Sequence, residues 1–426
     1  LAIENQLFIK NRNLFFSKFN ANCMAVFNSN DIMPTNADGT MPFRQNNDLF
    51  WLCGVDQEES VLVIFPNHSD NNMREILFLK ETNKEIAIWE GAKLTKEEAY
   101  STSGIQTVFW LSELESKLAE LIAKADGIYL NKNIHSRSSS EVQTRDDRFR
   151  IMIKEKSSAK NIIEAAPIMH ELRYIKSEIE IALMQTACDI TEKGVRRILP
   201  FIKAGVMEYE IEAKLVHEFL INRSTGFAYQ PIIASGIDSC VLHYIDNNKP
   251  CKDGDILLMD FGAEYANYAS DLTRTIPVNG RFSERQKAVY HSVLHVMKEA
   301  TKMLVPGTNF KDYNKEVGRI MEVELIKLGL LDKHDVRKQD PKNPLFRKYY
   351  MHGTSHSIGL DVHDVGSFET PMQEGMVFTC EPGIYILEEA LGIRLENDIL
   401  ITADAPNDLM KNIPIEVDEI EDLMNA

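Results

Sequence analysis

Three histidines and two aspartates fall within sixteen residues, "MHGTSHSIGLDVHDVG" at 351–366, in a chain that holds only 11 histidines. Imidazole at this density serves proton transfer or metal ligation, and both uses need acids from elsewhere. Asp260 ends the apolar run "ILLMD" and Glu381 ends "VFTCE". Asp271 and Glu396 lie on the strands that follow, "YASDLTRTIPV" and "GIRLENDILIT". Gathered in a buried place, such carboxylates repel: two like charges ~4 Å apart cost about 4 kcal/mol at an effective dielectric near 20. Arg274 and Arg394 are close in sequence, but two guanidinium groups cannot neutralise four acids. Two divalent cations can, leaving a bridging hydroxide to be held by local hydrogen bonds. A carboxylate-rich set with one imidazole suits Mn²⁺, with Co²⁺, Fe²⁺ and Zn²⁺ as alternatives. Two ions about 3.5–4 Å apart activate a water against a carbonyl or phosphoryl group. The imidazole must then come from 351–366.

The elements that position these residues repeat. "DGDILLMDFG" at 253–262 overlays "EGMVFTCEPG" at 374–383, with Gly254 on Gly375, Asp260 on Glu381 and Gly262 on Gly383. In each copy an acid closes an apolar strand and a second acid-bearing strand follows. Helices precede the hairpins. Ile179, Leu183, Ala187, Ile190, Val195 and Ile198 recur at helical spacing. Ser283 and Gln286 form a capping-box pattern ahead of Val289, Val293, Met297, Ala300 and Leu304, and Pro306-Gly307 stops that helix. The first third has another texture. "CMAVFNS", "DLFWLCG", "SVLVIFP" and "REILFLK" read as strands, "SELESKLAELIAKAD" as an amphipathic helix and "GIYLN" as a further strand. We expect an N-terminal α/β domain over 1–160, a connection in "KEKSSAKN" at 154–161, and a C-terminal domain over 161–426.

Composition bounds the partners. Of 426 residues 44% are apolar and 26% charged, which is ordinary for a globular protein. No apolar run approaches a membrane span, and "LAIENQLFIKNR" shows no secretory pattern. Six scattered cysteines without a CxxC pair exclude a zinc ribbon and point to a reducing, cytoplasmic setting. A net charge of −17 disfavours nucleic acid as a partner.

"HGTSHSIGLDVHDVG", "TCEPGIYI", "GIRLEND", "LHYIDN" and "DFGAEYANYASDLTRT" resemble the signature segments of the Xaa-Pro aminopeptidases (aminopeptidase P), metallopeptidases with the "pita-bread" fold. They occur in the family's order from about 175 to the end, and "FRQNNDLFWLCGVDQEESVLVI" at 43–64 resembles its N-terminal domain. The resemblance implies an α+β protein: a C-terminal pita-bread domain with a pseudo-twofold repeat, preceded by an α/β domain that limits access and builds a homodimer or homotetramer. It implies release of the N-terminal residue from peptides with proline second, by attack of a metal-bridging hydroxide on the X-Pro carbonyl. The cofactor implied is two Mn²⁺ ions.

Residue by residue, Asp260, Asp271, His356, Glu381 and Glu396 match the five metal ligands, with Asp271 and Glu396 touching both ions. The resemblance implies that Glu381 also takes the proton of the attacking water. His363 matches a donor to the scissile carbonyl, and His352 a residue that orients substrate or passes a proton. Arg394 matches an arginine that orients Glu396 or contacts substrate. His243 and Tyr385 match residues lining the site, although packing also accounts for Tyr385. Trp89 matches a tryptophan that in some relatives reaches a neighbouring subunit, the alternative being a buried core residue. Cys380, beside Glu381, is expected to face the core. Prolidase, which cleaves X-Pro dipeptides with the same ligands, is the nearest alternative. An inactive peptide-binding relative would have lost ligands, and all five are present.

Overall fold

The apolar runs of the first third build one mixed sheet. Its strands are β1 (Cys23–Asn28), β2 (Val61–Ile64), β3 (Glu75–Leu79), β4 (Thr107–Trp110), β5 (Gly127–Leu130) and β6 (Asn161–Glu164), in the order β4-β3-β2-β1-β5-β6. β2 lies antiparallel to both β1 and β3, while β1–β5, β5–β6 and β3–β4 are parallel. β1, β2 and β5 are buried along their whole length, and Val26, Val63, Phe78 and Ile128 join Leu118, Leu121 and Ile122 of the helix Leu114–Lys124 in one core. The structure, a computed structural model, describes residues 3–20, 22–157 and 160–426.

One expected strand is a helix. "DLFWLCG" folds as the helix Asn47–Cys53, with Leu49, Phe50, Trp51, Leu52 and Cys53 all buried. Asn46 caps it by accepting hydrogen bonds from the Asp48 and Leu49 N–H groups, and Gly54 ends it in the left-handed conformation. A short run buried all round carries no periodicity, so cap and stop residues decide between helix and strand.

The chain divides into two compact units, Leu1–Arg173 and Tyr174–Ala426. The division falls later than 160 because β6, paired with β5, and the helix Ala166–Tyr174 follow that position. Within the expected connection, 160–161 and 154–157 are described, the former running into β6 and the latter ending the helix Arg145–Lys156. Residues 158 and 159 lie outside the described residues.

The second unit shows the anticipated repetition. The helices Glu178–Ile198 and Glu208–Ile221 precede β7 (Ile232–Ser235), β8 (Ile256–Asp260), the short pair β9 (Glu264–Tyr265) and β10 (Tyr268–Ala269), and β11 (Thr273–Pro277). The helices Glu284–Lys302 and Phe310–Lys327 precede β12 (Val377–Cys380), β13 (Gly383–Ile386), β14 (Leu391–Arg394), β15 (Asn397–Leu400) and β16 (Asn407–Asp408). Two three-stranded antiparallel sheets result, β11-β8-β7 and β12-β15-β16, with β13 and β14 as a separate hairpin. Gly254 and Gly375, matched in the repeat, have φ of 84° and 86°. Each turns the chain into its acid-terminated strand through a conformation that favours glycine. Ser283 caps its helix as its pattern suggested, accepting from the Gln286 N–H at 3.3 Å while Gln286 accepts from the Ser283 N–H at 2.8 Å.

The two halves meet where Thr273 bridges Glu396. Their registers are not identical. Thr273 faces Asp260 on β8, whereas Asn397 faces Cys380 on β12. Asp271 therefore precedes its strand while Glu396 sits at the rung beside the partner half.

Candidate active site

Strand ends deliver the acids. Asp260 is the last residue of β8 and Glu381 directly follows β12. Cys380 turns the other way, as expected, packing against Thr301 Oγ1 at 3.5 Å and the Met297 carbonyl at 3.7 Å. Burial pushes its thiol up to about 12, so it is inert core.

Around the acids the chain supplies a small set of donors. Arg394 sends Nη2 to Asp260 Oδ2 at 2.6 Å, Nη1 to the Tyr385 hydroxyl at 2.9 Å and Nε to Thr273 Oγ1 at 3.0 Å. Thr273 in turn donates to Glu396 Oε2 at 2.6 Å. The Tyr229 hydroxyl lies against both Asp260 Oδ1, at 2.6 Å, and Asp271 Oδ1. A hydroxyl has one hydrogen, so it serves one acid at a time. The other acid must carry its own proton or face a cation. The Asp271 backbone N–H donates to Asp398 Oδ2 at 3.0 Å, which fixes the turn that presents Asp271.

His356 Nε2 stands 3.5 Å from Asp271 Oδ2 and 3.6 Å from Glu381 Oε1, and its Nδ1 is 3.1 Å from the Ser357 carbonyl. That carbonyl assigns the proton to Nδ1 when the ring is neutral and leaves Nε2 free to ligate. His352 is committed at both nitrogens: Nδ1 donates to the Gly353 carbonyl at 2.8 Å, and Nε2 accepts from the Tyr385 hydroxyl at 2.8 Å. Its Nδ1 is also 3.7 Å from Glu381 Oε2, an ion pair only if the ring is charged. Burial, with the charges of Arg394 and His243, depresses His352 to about 3, so the ring is neutral and that contact is not an ion pair.

The electrostatics expose a charge imbalance. Burial raises Glu381 to about 7, His356 and Arg394 opposing it and the neighbouring acids adding to it. Burial and the charges of Asp271, Glu381 and Asp260 hold Glu396 well above the usual carboxylate range. Asp260 is raised by burial despite Arg394. Burial opposes the charged form of His356, yet the hydrogen bond to Asp271 and the charges of Glu381 and Asp271 raise it to about 9. Burial is the main cause of the carboxylate shifts, and mutual repulsion of the acids adds to it. Asp271, His356 and Glu396 each present one ligand atom, all within 4.8 Å of one another. Carboxylate oxygens and one imidazole nitrogen, crowded and short of cation, fit hard or borderline divalent metals.

The structure thus gathers Asp260, Asp271, His352, His356, Glu381, Tyr385, Arg394 and Glu396. His363, exposed, stacks edge-on against His356 with ring centroids 4.2 Å apart. His243 is exposed on the loop after β7 and is felt electrostatically by His352. Tyr385 is buried and also packs with Ile232, Tyr244 and Leu258, so its hydroxyl serves the site while its ring serves the core. Trp89, in the first unit, is 85% exposed, which rules out the core alternative. Sequence reasoning missed Tyr229, Thr273 and Asp398. Asp398 and Thr273 left a trace, lying inside the quoted "GIRLEND" and "DFGAEYANYASDLTRT", whereas Tyr229 left none.

Residues 182–403 match the model of "Metallopeptidase family M24", and residues 8–129 match that of "Aminopeptidase P, N-terminal domain". The chain belongs to metallopeptidase family M24. It has the α+β architecture expected, an M24 pita-bread unit preceded by an aminopeptidase P N-terminal unit. It is 34% identical to the Xaa-Pro aminopeptidase of Haemophilus influenzae, over 99% of this chain and 98% of the relative. It is 33% identical to that of Escherichia coli, over 100% and 98%. Among solved structures it is similar to E. coli aminopeptidase P in a low-pH form, with a TM-score of 0.90 at 31% identity over 100% and 99% of the two chains. It is also similar to the zinc-substituted E. coli aminopeptidase P in complex with product, with a TM-score of 0.88 at the same identity and coverage.

Proposed function

We propose that the protein is an Xaa-Pro aminopeptidase, a metallo-exopeptidase that releases the first residue of peptides with proline in second position. The observation that carries the reading is the meeting of Asp271, His356 and Glu396 beside Asp260 and Glu381, at the ends of matched hairpins. Membership of family M24 and likeness to Xaa-Pro aminopeptidases along the whole chain support it.

Asp260, Asp271, His356, Glu381 and Glu396 would hold a pair of divalent ions, Mn²⁺ by the hardness of the donors, with Co²⁺, Zn²⁺ and Fe²⁺ as alternatives. When bound, the pair supplies a Lewis acid for the carbonyl and lowers the pKa of the water that attacks it. The remaining work falls to side chains. Glu381 accepts the proton of the attacking water and returns it to the departing proline nitrogen. His363, exposed beside His356, donates to the substrate carbonyl oxygen as negative charge develops there. Arg394 holds Asp260 and, through Tyr385, fixes the neutral His352 ring. His352 therefore orients substrate rather than shuttling protons, since both its nitrogens are engaged. His243 lines the proline side, and Tyr385 lines the site.

An X-Pro bond is a tertiary amide without an N–H. The chemistry asks nothing of that nitrogen until it leaves, which is why such a site accepts proline. The substrate's free α-amino group binds near the acids, limiting removal to one residue. In the first unit, Trp89 meets a neighbouring copy in a homodimer or homotetramer, and the protein works in the cytoplasm. Among the described residues no helix is long and apolar enough to cross a membrane.

The test strips the protein of metal, reloads it ion by ion, and assays X-Pro dipeptide, X-Pro-Y tripeptide, longer peptides and an N-acetylated tripeptide. We expect metal-dependent release of X from the tripeptide and longer peptides and no turnover of the acetylated one. Activity confined to the dipeptide identifies a prolidase instead, and full turnover of the acetylated peptide removes the amine site.

A further inference from the structure

The histidine-rich segment contains residues that the chemistry above leaves unused. Asp364 directly follows His363, and its Oδ2 lies 3.0 Å from Lys176 Nζ, with the two side chains 2% and 1% exposed. These partners are 188 residues apart, yet they form an ion pair inside the unit's interior. Lys176 is itself anchored: its backbone N–H donates to the Gly375 carbonyl at 2.8 Å, and Nζ reaches the Tyr174 carbonyl at 3.5 Å.

The loop is wrapped round this pair. Asp364 N–H donates to the Ser357 carbonyl at 2.8 Å, and Gly359 N–H to the Asp361 carbonyl at 3.0 Å. The Gly359 carbonyl accepts from Ala269 N–H at 2.8 Å. A Cβ at Gly359 would lie 2.3 Å from Asp364 Oδ2 and 2.8 Å from Lys176 Cε. A side chain at 359 would therefore have to push one of the paired groups aside. One motif glycine is thus explained by the packing of the charges rather than by the chemistry.

A buried ion pair is weak evidence of added stability, because desolvation offsets its attraction. What it does supply is a fixed geometry at one end of a short loop. We propose that the Lys176–Asp364 pair is a positioning device for His363, setting the 357–366 loop so that the exposed imidazole is aimed at the substrate carbonyl. The proposal rests on the role assigned to His363.

The test compares the wild type with Asp364→Asn, the charge-free double variant Lys176→Met/Asp364→Asn, His363→Ala, and the charge-free pair combined with His363→Ala. Each is Mn²⁺-loaded and assayed on an X-Pro-Y tripeptide, with metal content and melting temperature measured alongside. Hydrogen exchange of 357–366 is followed in the metal-free proteins. Misplacing a positioned group by about 1 Å can cost ~100-fold, so the charge-free pair should lose about 10–100-fold in kcat. We expect KM within about 2-fold, unchanged metal content, and faster exchange confined to the loop. In the His363→Ala background the same change should cost less than about 2-fold, because coupled residues are non-additive. If His363→Ala is fully active, the assigned role of His363 fails. If it is impaired but the pair's loss leaves kcat unchanged, or multiplies independently with it, positioning is refuted and the pair is purely structural. Should Asp364→Asn alone not fold, the double variant decides, since it removes both charges of the pair together.

Discussion

Tyr229 and Arg394 hold the carboxylates of the site in place. The crowded acids proposed as ligands need fixed neighbours, and these two make three contacts with them: Asp260 twice and Asp271 once. Partners that orient ligands typically control 10–100-fold in metal affinity or activity. Tyr229→Phe removes the hydroxyl and keeps the ring, so we predict Mn²⁺ binding weaker by about 10-fold, read by calorimetric titration of metal-stripped protein. Unchanged affinity would show that the hydroxyl merely fills space. Arg394→Met should act more severely, because it frees Asp260 and also releases Tyr385 and hence His352. We predict a fall in kcat of about 100-fold or more with Mn²⁺ content retained, measured by steady-state kinetics beside elemental analysis. The four acids were legible in the sequence because an acid closing or following an apolar strand is a local signal, whereas the imidazole was legible only as one of three in 351–366 until the family resemblance singled out His356. Tyr229 was not, because its partners are 31 and 42 residues away and nothing around it marks the hydroxyl as needed.

At the scale of elements, the helix Arg145–Lys156 sets burial against its own dipole. Asp146 stands in its first turn, where the helix N-terminus favours negative charge. Burial wins and raises Asp146 to about 6, the hydrogen bond from Asn28 at 2.8 Å only opposing it. The folded chain thus holds this proton more tightly than the unfolded one. Stability from this group is greatest below pH ~4 and declines as pH rises through about 6. Asp146→Asn keeps the acceptor for Asn28 and removes the buried charge. We predict a gain of about 1–3 kcal/mol at pH 7.5 that fades toward pH 4, followed by denaturant unfolding across pH. A loss at pH 7.5 would mean that the helix terminus or a neighbouring cation outweighs burial. The same scale shows where sequence reading stops. β1, β2, β3 and β5 were readable from apolar runs closed by turn residues, but residues 49–53, apolar and buried throughout, offered no period to read. The repeat was readable because Gly254 and Gly375 share one backbone constraint, while the unequal registers of the two hairpins left no mark in residue types.

For the whole molecule, two consequences follow. A ligand that binds only the folded state stabilises it, and here it also relieves repulsion among buried acids. Removing metal with a chelator should therefore lower the melting temperature by several degrees, restored by Mn²⁺, with the loss absent in Asp271→Asn/Glu396→Gln. Trp89, 85% exposed beside Ile88 at 79%, puts two adjacent large apolar side chains at the surface. Trp89→Ala should shift the sedimentation profile toward smaller species and lower activity; an unchanged profile and rate would leave Trp89 without the neighbouring-copy role. Enclosure of metal by the acids is tested most directly by anomalous diffraction at the manganese edge from crystals grown with Mn²⁺. It predicts two peaks, bounded together by Asp260, Asp271, His356, Glu381 and Glu396. Carboxylates turned apart with no peak between them, or a peak elsewhere on the chain, would contradict it.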